Sequence, residues 1–295
     1  MSSKISTTKY TPSYSAQIED LAQILSQINN VIIGAGAGLS TSAGLTYSGK
    51  RFTDAFPDFI QKFGLTDMYS SAFYEFPDLE TKWAYWSRHV FMNGYNYVLN
   101  DTYDILFDLI KDKNYFVLTT NADHAFLNHG FDRKRLFYTQ GDYQLFQCSV
   151  PCVQETFKNQ FQIVTMVKFQ KDMRVPTKML PKCPYCDAPA ISNLRIDDTF
   201  AQPPGWYAAQ ERYEEFLLTY SASKPILYLE LGVGLNTPGI IKYPFWHYTK
   251  LNNKATYVSI NLNEVSVPSE ITDQSICITH DIHDALHDLK KIYNI

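Results

Sequence analysis

The chain has 295 residues, 45% of them hydrophobic, with 21 Tyr and 19 Phe; this is a globular composition with enough chain for one large core, as a single domain or a domain carrying an inserted module. Its 26 Lys and Arg against 30 Asp and Glu give a net charge of −4 without a basic run, which argues against nucleic-acid and anionic-membrane partners. The amino-terminal stretch is polar, and no run approaches the roughly 18–20 apolar residues of a membrane helix, so a cytoplasmic protein is expected.

Residues 1–13, rich in Ser and Thr, read as a flexible tail. Ile18, Leu21, Ala22, Leu25 and Ile28 then recur at helical spacing, closed by Asn29-Asn30. Val31-Ile32-Ile33 is a short buried strand that runs straight into a turn with Gly34, Gly36 and Gly38. Strand, glycine turn and helix in that order open a nucleotide-binding α/β domain. The stretch from about 50 to 100 is aromatic-rich and helical, and reads as a lid with Phe73, Tyr74, Phe76, Trp83, Tyr85 and Trp86 in its core. A helix is expected at 102–111 and a strand at 115–119. After an irregular segment, 146–200, come a helix at 207–220 and strands at 225–231 and 255–260. This alternation predicts a mostly parallel sheet covered on both faces. The expected organisation is a Rossmann-like domain formed by 14–145 and 201–295, with the helical lid inside it and 146–200 as an inserted small domain.

The glycine turn has two readings. Bare backbone at Gly36 and Gly38 lets a pyrophosphate approach, with the next helix aiming its N–H groups at the anion; the same glycines also serve tight packing. Leu39 breaks the usual G-x-G-x-x-G fingerprint. Gly44-x4-Gly49-Lys50 is followed by Arg51 and so lacks the hydroxyl of a P-loop.

Five cysteines include two close pairs, Cys148 with Cys152 and Cys183 with Cys186. Two such pairs let four thiolates converge tetrahedrally, and zinc is the usual occupant. An all-cysteine site is closed, so the zinc would be structural. Cys277 reads as a core residue. His280, His283 and His287 share one face of the last helix with Asp281, Asp284 and Asp288, a pattern read as a solvated outer face.

Taken in order, these segments resemble the sirtuin family. Gly36-Ala37-Gly38-Leu39-Ser40-Thr41-Ser42-Ala43-Gly44 matches its G-A-G-[IL]-S-x-x-[SA]-G, and Thr119-Thr120-Asn121-Ala122-Asp123 stands where sirtuins carry T-Q-N-[IL]-D. Leu194-Arg195 resembles the L-R after the last zinc ligand. Gly232-Val233-Gly234-Leu235-Asn236-Thr237-Pro238 resembles the G-T-S-L-x-V-x-P turn, and Ile260-Asn261 the family's I-N. The resemblance runs from about residue 31 to 282. It implies NAD as substrate, held by Gly36, Ala37, Gly38, Ser40, Tyr47, Arg51, Phe52, Thr120, Gly232, Gly234, Asn236, Asn261 and Asp281. It also implies catalytic roles for Asn121, Asp123, Gln140 and Arg195.

The departures from the pattern are informative. Sirtuin deacylases carry His-Gly after the N-x-D motif, and here Gln140-Gly141 stands in its place. The P-D-F-R segment is replaced by Thr46-Tyr47-Ser48-Gly49-Lys50-Arg51-Phe52, and F-G-E-x-x-P has no counterpart at 197–201. His124 and His129 follow the N-x-D motif, on a helix expected to carry them away from Asn121. These features resemble the microbial class M sirtuins, linked to macrodomain ADP-ribose hydrolases. That resemblance implies a protein mono-ADP-ribosyltransferase whose acceptor is a lipoylated carrier related to the glycine-cleavage H protein. A lysine deacylase, a silent NAD or ADP-ribose sensor and an NAD hydrolase are the competing readings.

Overall fold

The computed structural model describes residues 13–235, 238–263 and 265–293; of the tail expected at 1–13, only Ser13 falls among them. Nine strands are described: β1 Asn30–Ala35, β2 Asn114–Thr119, β3 Leu136–Tyr138, β4 Gly141–Cys148, β5 Phe157–Lys158, β6 Ala190–Leu194, β7 Ile226–Leu231, β8 Ala255–Asn261 and β9 Ser275–Thr279. Six of them form a parallel sheet in the order β3-β2-β1-β7-β8-β9. The order reverses between β1 and β7, and the crevice outside the carboxyl ends of such strands is where α/β sheets bind ligands.

The sheet is covered on both sides, so its central strands are apolar at consecutive positions. Val31, Ile33 and Val117 face a layer containing the helices Tyr14–Gln27, Thr102–Ile110 and Ile282–Tyr293. Ile32, Phe116 and Tyr228 face the other layer, with the helices Pro204–Tyr220 and Lys242–Leu251. Full burial of each such side chain stabilises the fold by about 1.5–3 kcal/mol. The first helix starts where Ser13 accepts the Ala16 N–H at 3.3 Å, the N-cap role for which serine is suited. No helix among the described residues is long and apolar enough to cross a membrane.

The remaining strands form an antiparallel sheet, β5-β4-β6. The segment 146–200 therefore contains regular structure that its sequence does not display. Its strands are short, and the helix Gln160–Phe169 buries only Ile163 and Met166, too few apolar positions for a clear period. This sheet is not packed by itself. Phe52, Phe59, Trp83 and Tyr85 of the aromatic segment share one apolar cluster with Tyr143, Phe146, Ile163 and Ala190. The lid and the cysteine-bearing sheet thus pack as one body.

Candidate active site

At the switch point two glycine turns touch. Gly36 N–H donates to the Leu231 carbonyl at 3.0 Å, and Gly38 N–H to that of Gly232 at 2.9 Å. A Cβ on Gly36 would lie 2.6 Å from the Gly232 oxygen. Gly232 itself has φ +63°, in the left-handed region that favours glycine. Gly38 and Gly232 serve close packing, and Gly36 additionally faces a cleft of about 480 Å³. Gly34 is held by packing alone, since a Cβ there would meet Ile241 at 2.3 Å.

The loop after β2 enters the same cleft with Thr120, Asn121 and Asp123. Asn121 is fixed by its amide, which donates to the Gly36 carbonyl and to Ser40 Oγ, each at 3.0 Å. Ser40 in turn donates to Asp123 at 2.5 Å. The other Asp123 oxygen accepts the Ala125 N–H at 3.0 Å. Asp123 is buried, and that burial pushes its carboxyl above the usual range despite the bonds from Ser40 and Ala125. Asn121 presents no titratable group but has a fixed orientation.

Gln140 and Arg195 also line the cleft, and the Arg195 N–H donates to the Gln140 carbonyl at 3.0 Å. Gly141 makes this approach possible. It has φ +96°, and a Cβ there would fall 2.0 Å from the Asn193 carbonyl. The Arg195 guanidinium lies over the Phe200 ring at 6.0 Å. Ala37, Ser40, Tyr47 and Gly234 complete the sequence-expected residues that line the cleft.

The others lie elsewhere. Arg51 donates to the Thr46 carbonyl at 3.0 Å, to Asn93 Oδ1 at 2.8 Å and to the Met92 carbonyl, so its fork holds the lid together. Phe52 is buried in the lid core. Asn261 donates to the carbonyl of the cleft residue Val233 at 3.2 Å. Asp281 accepts from Ser42 at 2.9 Å and from the Asp284 N–H at 3.3 Å, at the start of the last helix. Asn236 lies outside the described residues. His124 pairs with Asp142 and His129 with Asp104, and neither lines the cleft. The histidine row on the last helix is not simply solvated: His283 and His287 approach Asp101 at 3.5 and 3.1 Å, and His280 packs on Tyr14.

Sequence reasoning missed His89, Asn93, Met68, Tyr69 and Tyr143, all in the cleft wall. Phe73, expected in the lid core, is 56% exposed at the cleft, whereas Trp86 is both buried and cleft-lining. An aromatic-rich segment carries no local mark of which rings face inward.

Away from the cleft, Cys148 and Cys186 have their sulfurs 3.6 Å apart, as do Cys152 and Cys183. All four sulfurs lie within 4.8 Å of one another. Four sulfurs about 2.3 Å from one tetrahedral zinc stand roughly 3.8 Å apart, so the donor set and spacing suit zinc. Cys277 is half-buried on β9.

No protein-family model matches the chain. A protein ADP-ribosyltransferase of Staphylococcus aureus (strain Mu50 / ATCC 700699) is 37% identical over 267 residues, 90% of this chain and 84% of that protein. A probable bifunctional ADP-ribose hydrolase/ADP-ribosyltransferase of Fusarium oxysporum f. sp. cubense is 31% identical over 281 residues, 89% of this chain and 46% of that protein. Among solved structures, a Sir2 enzyme superposes with TM-score 0.59 at 15% identity, covering 94% of this chain and 99% of that one. Sir2Tm bound to a propionylated peptide gives 0.59 at 16%, with the same coverage. The parallel sheet is that of the Sir2 fold, and on the strength of the bacterial relative the chain belongs to the protein ADP-ribosyltransferases.

Proposed function

We propose that the chain transfers a single ADP-ribose from NAD to a protein acceptor and releases nicotinamide. The observation that carries this reading is Gln140, an amide residue lining a cleft in which Asn121 donates to Ser40 and Ser40 to Asp123. Breaking a glycosidic bond passes through an oxocarbenium-like state, for which the ribose must be oriented and water kept away. Asn121, held at two points, supplies orientation without taking a proton.

Deacylation would need a base for a ribose hydroxyl, a role worth about 10²–10⁴ in rate, and an amide does not titrate near neutrality. A carboxylate acceptor needs no base, being ionised above about pH 4. Its oxygen bonds to the anomeric carbon as the bond to the pyridinium nitrogen breaks, and the electron pair leaves with neutral nicotinamide. In this reading Arg195, whose N–H bonds the Gln140 carbonyl, steadies such an acidic acceptor.

The finer reading is a lipoylated carrier protein as acceptor, in the cytoplasm. Its support is the class M resemblance and the apolar stretch of cleft wall at Met68, Tyr69, Ala72, Phe73 and Ile196, which suits an extended aliphatic arm. The Fusarium relative, named for both ADP-ribose hydrolase and ADP-ribosyltransferase activity, supports a functional link to a macrodomain hydrolase. In this reading the four cysteines bind one structural zinc. Incubation with labelled NAD and either the lipoylated or the unlipoylated carrier tests the acceptor. Label on the lipoylated form alone supports it; equal labelling of both removes the lipoyl arm from the account, and labelling of neither removes the carrier.

A further inference from the structure

Three polar side chains in the cleft wall take no part in the chemistry above, yet they form one chain of hydrogen bonds. His89, on the helix Leu79–Val90, is 1% exposed and has its Nε2 3.1 Å from the Tyr143 hydroxyl on β4. The Tyr143 hydroxyl lies 2.6 Å from that of Tyr47. All three residues line the cleft. His89 Nδ1 is buried without a hydrogen-bond partner among the described residues.

A neutral imidazole has one N–H and one lone pair. An N–H orphaned in the interior is harder to accommodate than an orphaned acceptor, so the partnerless Nδ1 keeps the lone pair and Nε2 carries the proton. The direction of the whole chain follows. Nε2–H donates to the Tyr143 oxygen, Tyr143 donates to the Tyr47 oxygen, and the Tyr47 hydrogen is left facing the cleft. The groups around His89 agree with a neutral ring. Its charged neighbour is Arg51, the others being Tyr47, Tyr85, Trp86 and Tyr143. Burial first, and the Arg51 charge second, push its pKa down to about 3.

We propose that His89 is a positioning residue: it fixes the direction of the relay so that Tyr47 presents a hydrogen-bond donor to the molecule in the cleft. The position thereby selects a substrate oxygen that can accept, a carbonyl or a carboxylate, and turns away a group that can only donate. The kinetic arm of the test rests on the proposed use of NAD; the protonation of His89 does not.

The experiment is nitrogen NMR of the full-length protein labelled at histidine, between pH 5 and 8, with the His89 signals assigned by their loss in His89→Gln. A proton on Nε2 throughout that range is expected. A proton on Nδ1, or a titration within the range, would overturn the proposal. The second arm measures nicotinamide release by His89→Phe, Tyr47→Phe and the double variant. Each single change is expected to lower kcat/KM by about threefold to tenfold, the worth of one neutral hydrogen bond, with the double no worse than either. His89→Gln, which keeps a donor, recovers part of the loss. Losses that multiply in the double variant would mean the two residues act independently, against the proposal. If the wild-type protein releases no nicotinamide, the proposed function falls, and the tautomer measurement still decides for or against the relay.

Discussion

Gly38 and Gly232 meet backbone to backbone: a methyl group placed on Gly38 would fall 2.6 Å from Gly232 Cα, while one on Gly232 would fall 2.4 Å from the Leu39 nitrogen. Neither neighbour is a side chain that can swing aside. The Gly38→Ala and Gly232→Ala variants should therefore each lose stability by about 1–3 kcal/mol from overpacking, with Gly232→Ala the worse because of its φ of +63°. Gly49, with φ +68°, ψ −150° and no atom within 4 Å of the place a Cβ would take, is the control; its alanine variant bears only backbone strain, about 1–3 kcal/mol. Urea denaturation of the three variants gives the comparison. Nicotinamide release should fall with the first two and persist in Gly49→Ala.

Asp123 is a stability liability kept at the cleft. Its folded pKa is raised by burial, so the folded state binds a proton more readily than the unfolded chain does. The cost to folding therefore grows as pH rises from the unfolded value of about 3.9 to the folded pKa and is constant above it, and below the unfolded value both states are protonated and the effect vanishes. Asp123→Asn is expected to raise the denaturation midpoint at pH 7, to leave it unchanged near pH 3, and to lower turnover at both. A variant less stable at pH 7 would show that the charged carboxylate contributes to the fold.

His89 has the opposite sign. Its folded pKa, about 3 against 6.5 in the unfolded chain, means that the unfolded state takes up the proton first on acidification. Its contribution is fully present above pH 6.5 and is lost as pH falls toward 3. Between those limits the slope is about 1.4 kcal/mol per pH unit. In His89→Gln the acid-side slope of stability against pH should flatten by about that amount, measured by denaturant titration at pH 4, 5 and 6.

The cysteine cluster should matter to catalysis at a distance. Cys148 ends β4, whose first residue follows Gln140, and β4 pairs with β6, which ends one residue before Arg195. Cys183→Ser is expected to abolish one zinc per chain by elemental analysis, to lower the thermal midpoint, and to cut nicotinamide release by loosening both cleft residues. Full activity in a zinc-free variant would separate the cluster from the cleft.

The legible parts of this molecule are those where one local demand selects the residue type. Strands buried on both faces require consecutive apolar residues, so Val31-Ile32-Ile33 announces β1. Cys148, Cys152, Cys183 and Cys186 come in two close pairs whose sulfurs the fold brings within 4.8 Å of one another. Backbone contact leaves glycine at 36, 38 and 232. What the sequence conceals is set by partners far away in the chain. The contacts that Arg51 makes with Met92 and Asn93 have no mark in the sequence around it. The histidines of the last helix have the period of a wet face, yet Asp101 meets two of them. His89 sits unmarked in an aromatic run, because its function depends on two tyrosine hydroxyls brought to it by the fold.

The most direct test of the account is the intact mass of a lipoylated carrier protein after incubation with enzyme and NAD, beside an acetyl-lysine peptide in the same mixture. Transfer predicts the mass gain of one ADP-ribose on the carrier and an unchanged peptide. The gain should fall by a factor on the order of 10²–10³ with Asn121→Ala, as when a preorganised polar group is removed from an active site. An unmodified carrier alongside a peptide that has lost its acetyl group would contradict the reading of Gln140 and make the protein a deacylase.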